Sequence, residues 1–137
     1  MKEPGDSRRK APAGWDRDVP YDICERTFLF AVRVIRAVRR LPQDAATRIV
    51  THQLIKAATS VGANMEEAGG AESARDFIHK TGIARKEARE SRYWLRVVRA
   101  AILDDDVFGE LEQESDELVR ILSTMIANAQ KSQSRSR

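Results

Sequence analysis

Cysteine and long apolar runs are both scarce in this chain of 137 residues. Cys24 is the only cysteine, which excludes an internal disulfide and a zinc site built from several thiolates. The longest apolar run, residues 28–32, is far shorter than the ~20 residues that a transmembrane helix requires. Because no basic segment followed by an apolar one opens the chain, we expect no signal peptide, no membrane contact and a cytoplasmic location.

Helix-breaking residues are also few, with seven glycines and four prolines, and aromatic residues make up only 6% of the chain. Three of the four prolines fall within residues 1–20, which show no apolar period, so we predict a flexible N-terminal arm there. The remainder is rich in Ala, Glu, Arg and Leu, a composition typical of long helices. A chain of this length favours one domain.

Helix breakers divide the remaining sequence into four helical segments. Leu41-Pro42, Gly69-Gly70 and the acidic run 104–106 separate them, and Asp44 and Ser73 are suitable N-cap residues. The predicted helices cover about 22–40, 45–68, 74–103 and 107–130, followed by a disordered tail at 132–137. Since all three connections are short, we predict an all-α, antiparallel up-down-up-down four-helix bundle over residues 21–131.

Each predicted helix carries apolar or small residues at alternating three- and four-residue steps, the spacing of a stripe packed in a bundle. The predicted stripes are Cys24, Phe28, Ala31, Ile35 and Val38; Val50, Leu54, Ala57, Val61, Asn64 and Ala68; Phe77, Thr81, Ala84, Ala88, Ser91, Leu95, Val98 and Ile102; and Phe108, Leu111, Ser115, Leu118, Leu122, Met125 and Ala129.

The second helix has little bulk in the segment AATSVGANMEEAGG, residues 57–70. Antiparallel packing on helix 3 brings Gly62 level with Gly82, where two glycines either permit close backbone approach or leave room for a bulky side chain from another helix or subunit. Asn64 falls on the inner stripe, and we expect Thr81 to be its hydrogen-bond partner. Asn64 then either fixes helix register or, with Glu67 and the small residues nearby, joins a subunit contact. Trp94, beside its stripe, is peripheral core or an oligomer anchor.

Catalytic and metal-binding patterns are missing. Bundles that bind two metals use paired Glu-x-x-His turns, but here only His79 follows a carboxylate, Asp76, by three residues. Ser91 and Ser115 have no nearby histidine, and Gly69-Gly70 lacks a phosphate-loop pattern. We therefore predict no enzyme, no metal and no cofactor.

Charge is divided unevenly among the helices. Residues 104–130 contain eight acidic residues and one basic residue, whereas helices 1 and 3 carry arginines at helical spacing. Such stripes bind phosphates, or else they pair with the acidic helix 4 that lies between them in this topology. The candidate nucleic-acid-binding residues are Arg33, Arg36, Arg40, Arg85, Arg89, Arg92, Arg96 and Arg99.

The sequence also resembles a known family in the segments YDICERTFLFAVRVIRAVRRLP and QLIKAATSVGANMEEAGGAESARDFIHKTGIARKEARESRYWLRV. Both are similar to the four helix bundle proteins, also called 23S rRNA-intervening-sequence proteins, whose S-x-x-x-N-x-x-E pattern matches Ser60, Asn64 and Glu67. That family is similar in fold to the accessory variability protein of diversity-generating retroelements. The resemblance implies a four-helix bundle, a homopentamer and affinity for nucleic acid, with no established activity.

Two functions are consistent with these patterns. The first is a non-enzymatic, homo-oligomeric scaffold or interaction protein that binds RNA or DNA through the arginine stripes. The second is a protein–protein adaptor that uses acidic helix 4 or the N-terminal arm and binds no nucleic acid.

Overall fold

Four α-helices make up nearly all of the computed structural model, which describes residues 22–135. They are α1 (Ile23–Val38), α2 (Ala45–Gly69), α3 (Ala74–Ala101) and α4 (Asp106–Arg135). Helix α4 continues five residues beyond its predicted end, through the first four residues of the predicted tail. The predicted arm at 1–20 and residues 136–137 lie outside the described residues.

Short polar side chains begin all four helices. Asp44 accepts a hydrogen bond from the Thr47 amide at 2.8 Å, and Ser73 accepts one from the Asp76 amide at 3.0 Å, as predicted. Asp22 accepts from the Cys24 amide before α1, and Asp105 accepts from the Phe108 amide before α4. These bonds satisfy amides that have no partner inside the helix, so the turns are specified by local chemistry.

The helices form a ring in which each packs against the next and α4 closes back on α1. In the described part of the chain the diagonal pairs, α1 with α3 and α2 with α4, do not pack together. This is the predicted up-down-up-down bundle, and it places α4 between α1 and α3. Helix α1 is the shortest, and its contact with α4 is the smallest of the four.

The predicted stripes on α2, α3 and α4 face the core. Their central positions are buried, whereas Val50, Asn64, Phe77, Ile102, Met125 and Ala129 are half-buried at the ends or edges. The fully enclosed positions include Leu54, Val61, Ala84, Ala88, Leu95, Leu111, Leu118 and Leu122. Among these positions, those on α3 include alanines, whereas those on α4 are leucines.

The predicted stripe on α1 is wrong. Helix α1 buries Thr27, Phe30, Val34 and Ala37, together with Val38 from the predicted set. Phe28 and Ile35 instead face outward, with 54% and 38% of their surface exposed, and Cys24 and Ala31 are half-buried. Helix α1 thus has apolar residues on two faces, and the core takes the one that sequence periodicity did not select.

Buried hydroxyl groups reveal a second departure from the prediction. Thr27, Ser91 and Ser115 each donate to a backbone carbonyl three or four residues earlier. Thr81 Oγ1 is buried and has no hydrogen-bond partner among the described residues. The predicted Asn64–Thr81 bond is absent, because Asn64 Nδ2 donates to the Ser60 carbonyl at 2.9 Å.

We therefore expect Thr81→Val to stabilise the protein by about 1 kcal/mol, since it removes a buried polar group and keeps the branched shape. Urea unfolding at fixed protein concentration measures the change. Thr27→Val is the matched control and should be destabilising, because the Thr27 hydroxyl donates to the Ile23 carbonyl at 2.8 Å. A Thr81→Val protein less stable than the parent would contradict the prediction.

Candidate functional site

Gly62 permits a close approach between α2 and α1, rather than the predicted one between α2 and α3. A Cβ atom at Gly62 would lie 3.4 Å from both the carbonyl carbon and the oxygen of Thr27. A Cβ atom at Gly82 would have no neighbour within 4 Å, so the predicted close backbone approach at Gly82 is wrong, while space there for a side chain of another subunit stays a prediction. Within the 57–70 segment, the absence of a side chain at Gly62 therefore serves the packing of α1.

The residues of the S-x-x-x-N-x-x-E pattern lie along one side of α2, towards α3. Asn64 bonds to the Ser60 carbonyl, and Glu67 forms an ion pair of 2.9 Å with Lys80 of α3. The hydrogen bond that Lys80 donates to the Glu67 carboxylate raises the pKa of Lys80. The Glu67–Lys80 pair joins α2 to α3 within one chain, whereas the Asn64 bond stays inside α2. Whether the same residues also join a subunit contact stays a prediction.

An open apolar groove runs between α1 and α2. Phe28, Val32 and Ile35 line it from α1, Gly62 and Ala63 line it from α2, and Glu66 stands at one end. Its volume is about 370 Å³. Most of the residues that the sequence assigned to the α1 core stripe line this groove instead. Contiguous apolar surface of this kind marks an interaction site more often than scattered exposed residues do.

Trp94 and Tyr93 form an aromatic pair on the outer part of α3. Their rings meet edge to face with centroids 5.0 Å apart, and Trp94 Nε1 donates to Glu90 at 3.4 Å. Trp94 packs against the core, whereas Tyr93 is 55% exposed. Trp94 is thus peripheral core, and it supports an aromatic ring that projects into solvent.

Acidic residues of α4 and its turn neutralise much of the arginine surface. Arg99 contacts Asp104 at 2.8 Å and Glu112 at 3.1 Å, and Arg40 contacts Asp105 while lying over the Phe108 ring. The remaining contacts are Arg92 with Asp116 at 3.9 Å and Arg85 with the Ser123 hydroxyl at 3.3 Å. Half of the candidate nucleic-acid-binding arginines therefore have partners within the bundle.

The other half have no such partner. Arg33 and Arg36 on α1, and Arg89 and Arg96 on α3, are exposed, and no carboxylate in residues 22–135 lies within 4 Å of them. These four guanidinium groups are available to an external anion. Three of the six carboxylates of α4 also pair with arginines in the described part of the chain: Glu112, Glu114 and Asp116.

The predicted pairing of helix 1 arginines with acidic helix 4 occurs at Arg26, in the most buried ion pair between the described residues. Arg26 Nε and Nη2 donate to the two carboxylate oxygens of Glu114 at 2.8 and 2.7 Å, with the arginine side chain only 7% exposed. The hydrogen bonds to Glu114 raise the pKa of Arg26. Arg26 lies on the arginine stripe of helix 1, although it was not among the candidate nucleic-acid-binding residues, and Glu114 lies on the acidic helix predicted to pair with that stripe.

Catalytic or metal-binding geometry does not appear in the described region. No group of three or more His, Cys, Asp or Glu side chains there could hold a metal ion. Ser91 and Ser115 use their hydroxyls to bond the helix backbone. Burial, and then the charges of Glu66 and Asp22, raise the pKa of the Cys24 thiol, whose sulfur lies 3.5 Å from the Met65 carbonyl oxygen. None of the described helices has an apolar stretch long enough to span a bilayer.

Comparison with known proteins places this bundle in a family. The model of the 23S rRNA-intervening sequence protein family matches residues 20–124. The chain belongs to this family. The match covers α1, α2 and α3 completely and most of α4, so the groove, the motif on α2 and all eight candidate arginines lie within the family region.

A solved structure agrees with this assignment. It is the crystal structure of a protein with unknown function from the S23 ribosomal protein family of Bacteroides thetaiotaomicron VPI-5482. The two chains share 30% sequence identity with a TM-score of 0.70, over 76% of this chain and 97% of that one. No curated protein sequence matches the chain. The family resemblance read from the sequence is thus confirmed, and the relatives carry no established activity.

Proposed function

We propose that this family member is a non-enzymatic, homo-oligomeric scaffold that binds the phosphate backbone of RNA or DNA through exposed arginines. The observation that carries the proposal is the division of the arginine surface. Arg33, Arg36, Arg89 and Arg96 keep exposed guanidinium groups, although the acidic helix beside them pairs with other arginines. Guanidinium groups without a carboxylate partner suit bidentate contact with phosphate.

Self-association is supported by the apolar surface that α1 leaves uncovered. Phe28 and Ile35 expose apolar area beside a groove that the bundle does not fill. Removing such area from water stabilises a complex by roughly 25 cal/mol per Å² before the cost of association. The family resemblance implies five copies, and light scattering on the purified protein measures the number.

Nucleic-acid binding is tested first with the unmodified protein. We expect co-purifying nucleic acid at low salt, seen as a high 260/280 absorbance ratio, and its loss after a high-salt wash. Labelled single-stranded RNA, double-stranded RNA and double-stranded DNA then identify the preferred form. The family description names 23S rRNA, so a fragment of that RNA is a natural probe. A clean spectrum at both salts, with no shift of any probe, would refute the proposal.

Arginine variants locate the contact. Arg33→Gln combined with Arg36→Gln should weaken binding and reduce the slope of log affinity against log salt by about 1–2, since each lost phosphate contact contributes ~0.7–0.9. The matched control is Arg92→Gln combined with Arg120→Gln, which removes the same charge from residues that both pair with Asp116. Equal losses from the two double variants would mean that net charge, rather than the arginines that lack a carboxylate partner, governs binding.

The adaptor alternative has less support, because half of the carboxylates of α4 already pair with arginines within the bundle. The N-terminal arm, its other proposed surface, lies outside the described residues.

A further inference from the structure

We propose that the α1/α2 groove receives helix α3 of a second copy of this chain, with Tyr93 seated between α1 and α2. This inference rests on the homo-oligomeric part of the proposed function and adds the two surfaces that meet. Each chain carries both surfaces of the contact, the α1/α2 groove and the outer face of α3, on different sides of the bundle. A contact of that kind is head-to-tail, so it closes into a ring or continues from copy to copy.

The register of the groove follows from the close contact between α1 and α2. Gly62 lies level with Thr27 and Phe28, so Thr59 lies level with Ala31, because the two helices are antiparallel. Glu66 is seven residues from Thr59, or about 10 Å along α2. Ile35 is four residues from Ala31, or about 6 Å in the opposite direction. Relative to the level of Thr59 and Ala31, the groove therefore has an acidic end at Glu66 and an apolar end at Ile35.

The outer face of α3 has matching positions, which we call the α3 ridge: Lys86, Tyr93 and Val97. They follow one side of the helix, since seven- and four-residue steps return to nearly the same face. Lys86 lies about 10 Å before Tyr93, and Val97 lies about 6 Å after it. Tyr93 and Lys86 are exposed, and Val97 is half-buried. The ridge therefore has a cation, a projecting ring and an apolar residue at the spacings of the groove.

Superposing the two spacings pairs unlike charges and like apolar groups. With α3 of the second copy parallel to α1 and Tyr93 at the level of Ala31, Lys86 meets Glu66 and Val97 meets Ile35. Glu66 and Lys86 each lack an ion-pair partner within 4 Å in the part of the chain that is described. Trp94 holds the Tyr93 ring edge to face, so a rigid aromatic anchor enters the groove.

Serine substitutions at exposed positions test the two surfaces. We expect Phe28→Ser with Ile35→Ser, and separately Tyr93→Ser, to reduce the mass measured by light scattering to that of the monomer. Ile49→Ser is the matched control, because Ile49 is 66% exposed on α2 outside the groove and should leave the mass unchanged. Far-UV circular dichroism confirms that each variant remains helical.

A charge exchange tests the alignment itself. Glu66→Lys and Lys86→Glu should each raise the dissociation constant of assembly about tenfold, and the double variant should restore the parent value. Because neither side chain pairs within the described bundle, the fold itself is not expected to change.

The outcomes separate this inference from the proposed function. An assembled parent whose mass survives the groove and Tyr93 substitutions would overturn the inference and leave the scaffold proposal standing. Loss of assembly on the groove side alone, with Tyr93→Ser and Lys86→Glu unaffected, would assign the groove to another occupant and would also overturn it. A monomeric parent protein would overturn this inference and also the homo-oligomeric part of the proposed function. The test of nucleic-acid binding does not depend on that result.

Discussion

Replacing Glu114 by Gln is expected to destabilise the bundle by about 3 kcal/mol, although the two side chains have nearly the same shape. The substitution leaves the Arg26 guanidinium, only 7% exposed, beside a neutral amide. Because Glu114 binds two of its nitrogens at 2.7 and 2.8 Å, the variant loses both a charge and a fork-shaped pair of hydrogen bonds. Urea unfolding at fixed protein concentration measures the loss.

The control for this prediction is the same substitution two residues earlier. Glu112 contacts Arg99 at 3.1 Å, but both side chains are about one-third exposed and Arg99 retains Asp104. Glu112→Gln should therefore cost less than about 1 kcal/mol. A double variant, Arg26→Met with Glu114→Met, should recover most of the lost stability, because it removes both charges of this pair. If Glu114→Gln were as mild as Glu112→Gln, the Arg26 pair would have no special role in joining α1 to α4.

The position of this ion pair explains why three of the four core stripes were predictable and the fourth was not. On α2, α3 and α4 polar residues flank a single apolar stripe, so only one rotation of each helix about its axis buries its apolar residues. Helix α1 instead has two apolar faces, Phe28–Ile35 and Phe30–Val34, and its buried face also contains Arg26 and Thr27. Sequence periodicity penalises that face for its polar residues. Contacts with Glu114 of α4 and Gly62 of α2 favour the face of α1 that is buried, and both residues are remote from α1 in sequence.

The candidate surfaces also depend on contacts between residues that are remote in sequence. Spacing along α3 correctly placed its arginines on one stripe, and topology placed α4 beside it. Which arginines are neutralised depends on distances between side chains, which helical spacing does not determine. Arg92 and Arg99 find carboxylates, whereas Arg89 and Arg96, on the same stripe, do not. The groove was missed for the reason that the α1 stripe was misplaced: residues assigned to the core were not considered as surface.

Gly62→Val is expected to destabilise the protein by about 2 kcal/mol, because the added methyl groups meet the backbone of α1. A single Cβ atom already lies 3.4 Å from Thr27, and backbone at that distance does not move aside as a flexible side chain does. Gly82→Val is the matched control. Its Cβ atom has open space, and valine is a better helix former than glycine, so stability should not fall.

Unfolding of both variants in urea at one protein concentration distinguishes the two glycines. If Gly82→Val were the more damaging, the close backbone approach would lie between α2 and α3, as the sequence alone suggested, rather than between α2 and α1. Gly62 also lines the α1/α2 groove. A valine there therefore changes both the spacing of α1 and the floor of the proposed contact, whereas the stability difference between the two variants reports the packing of α1 on α2 within one chain.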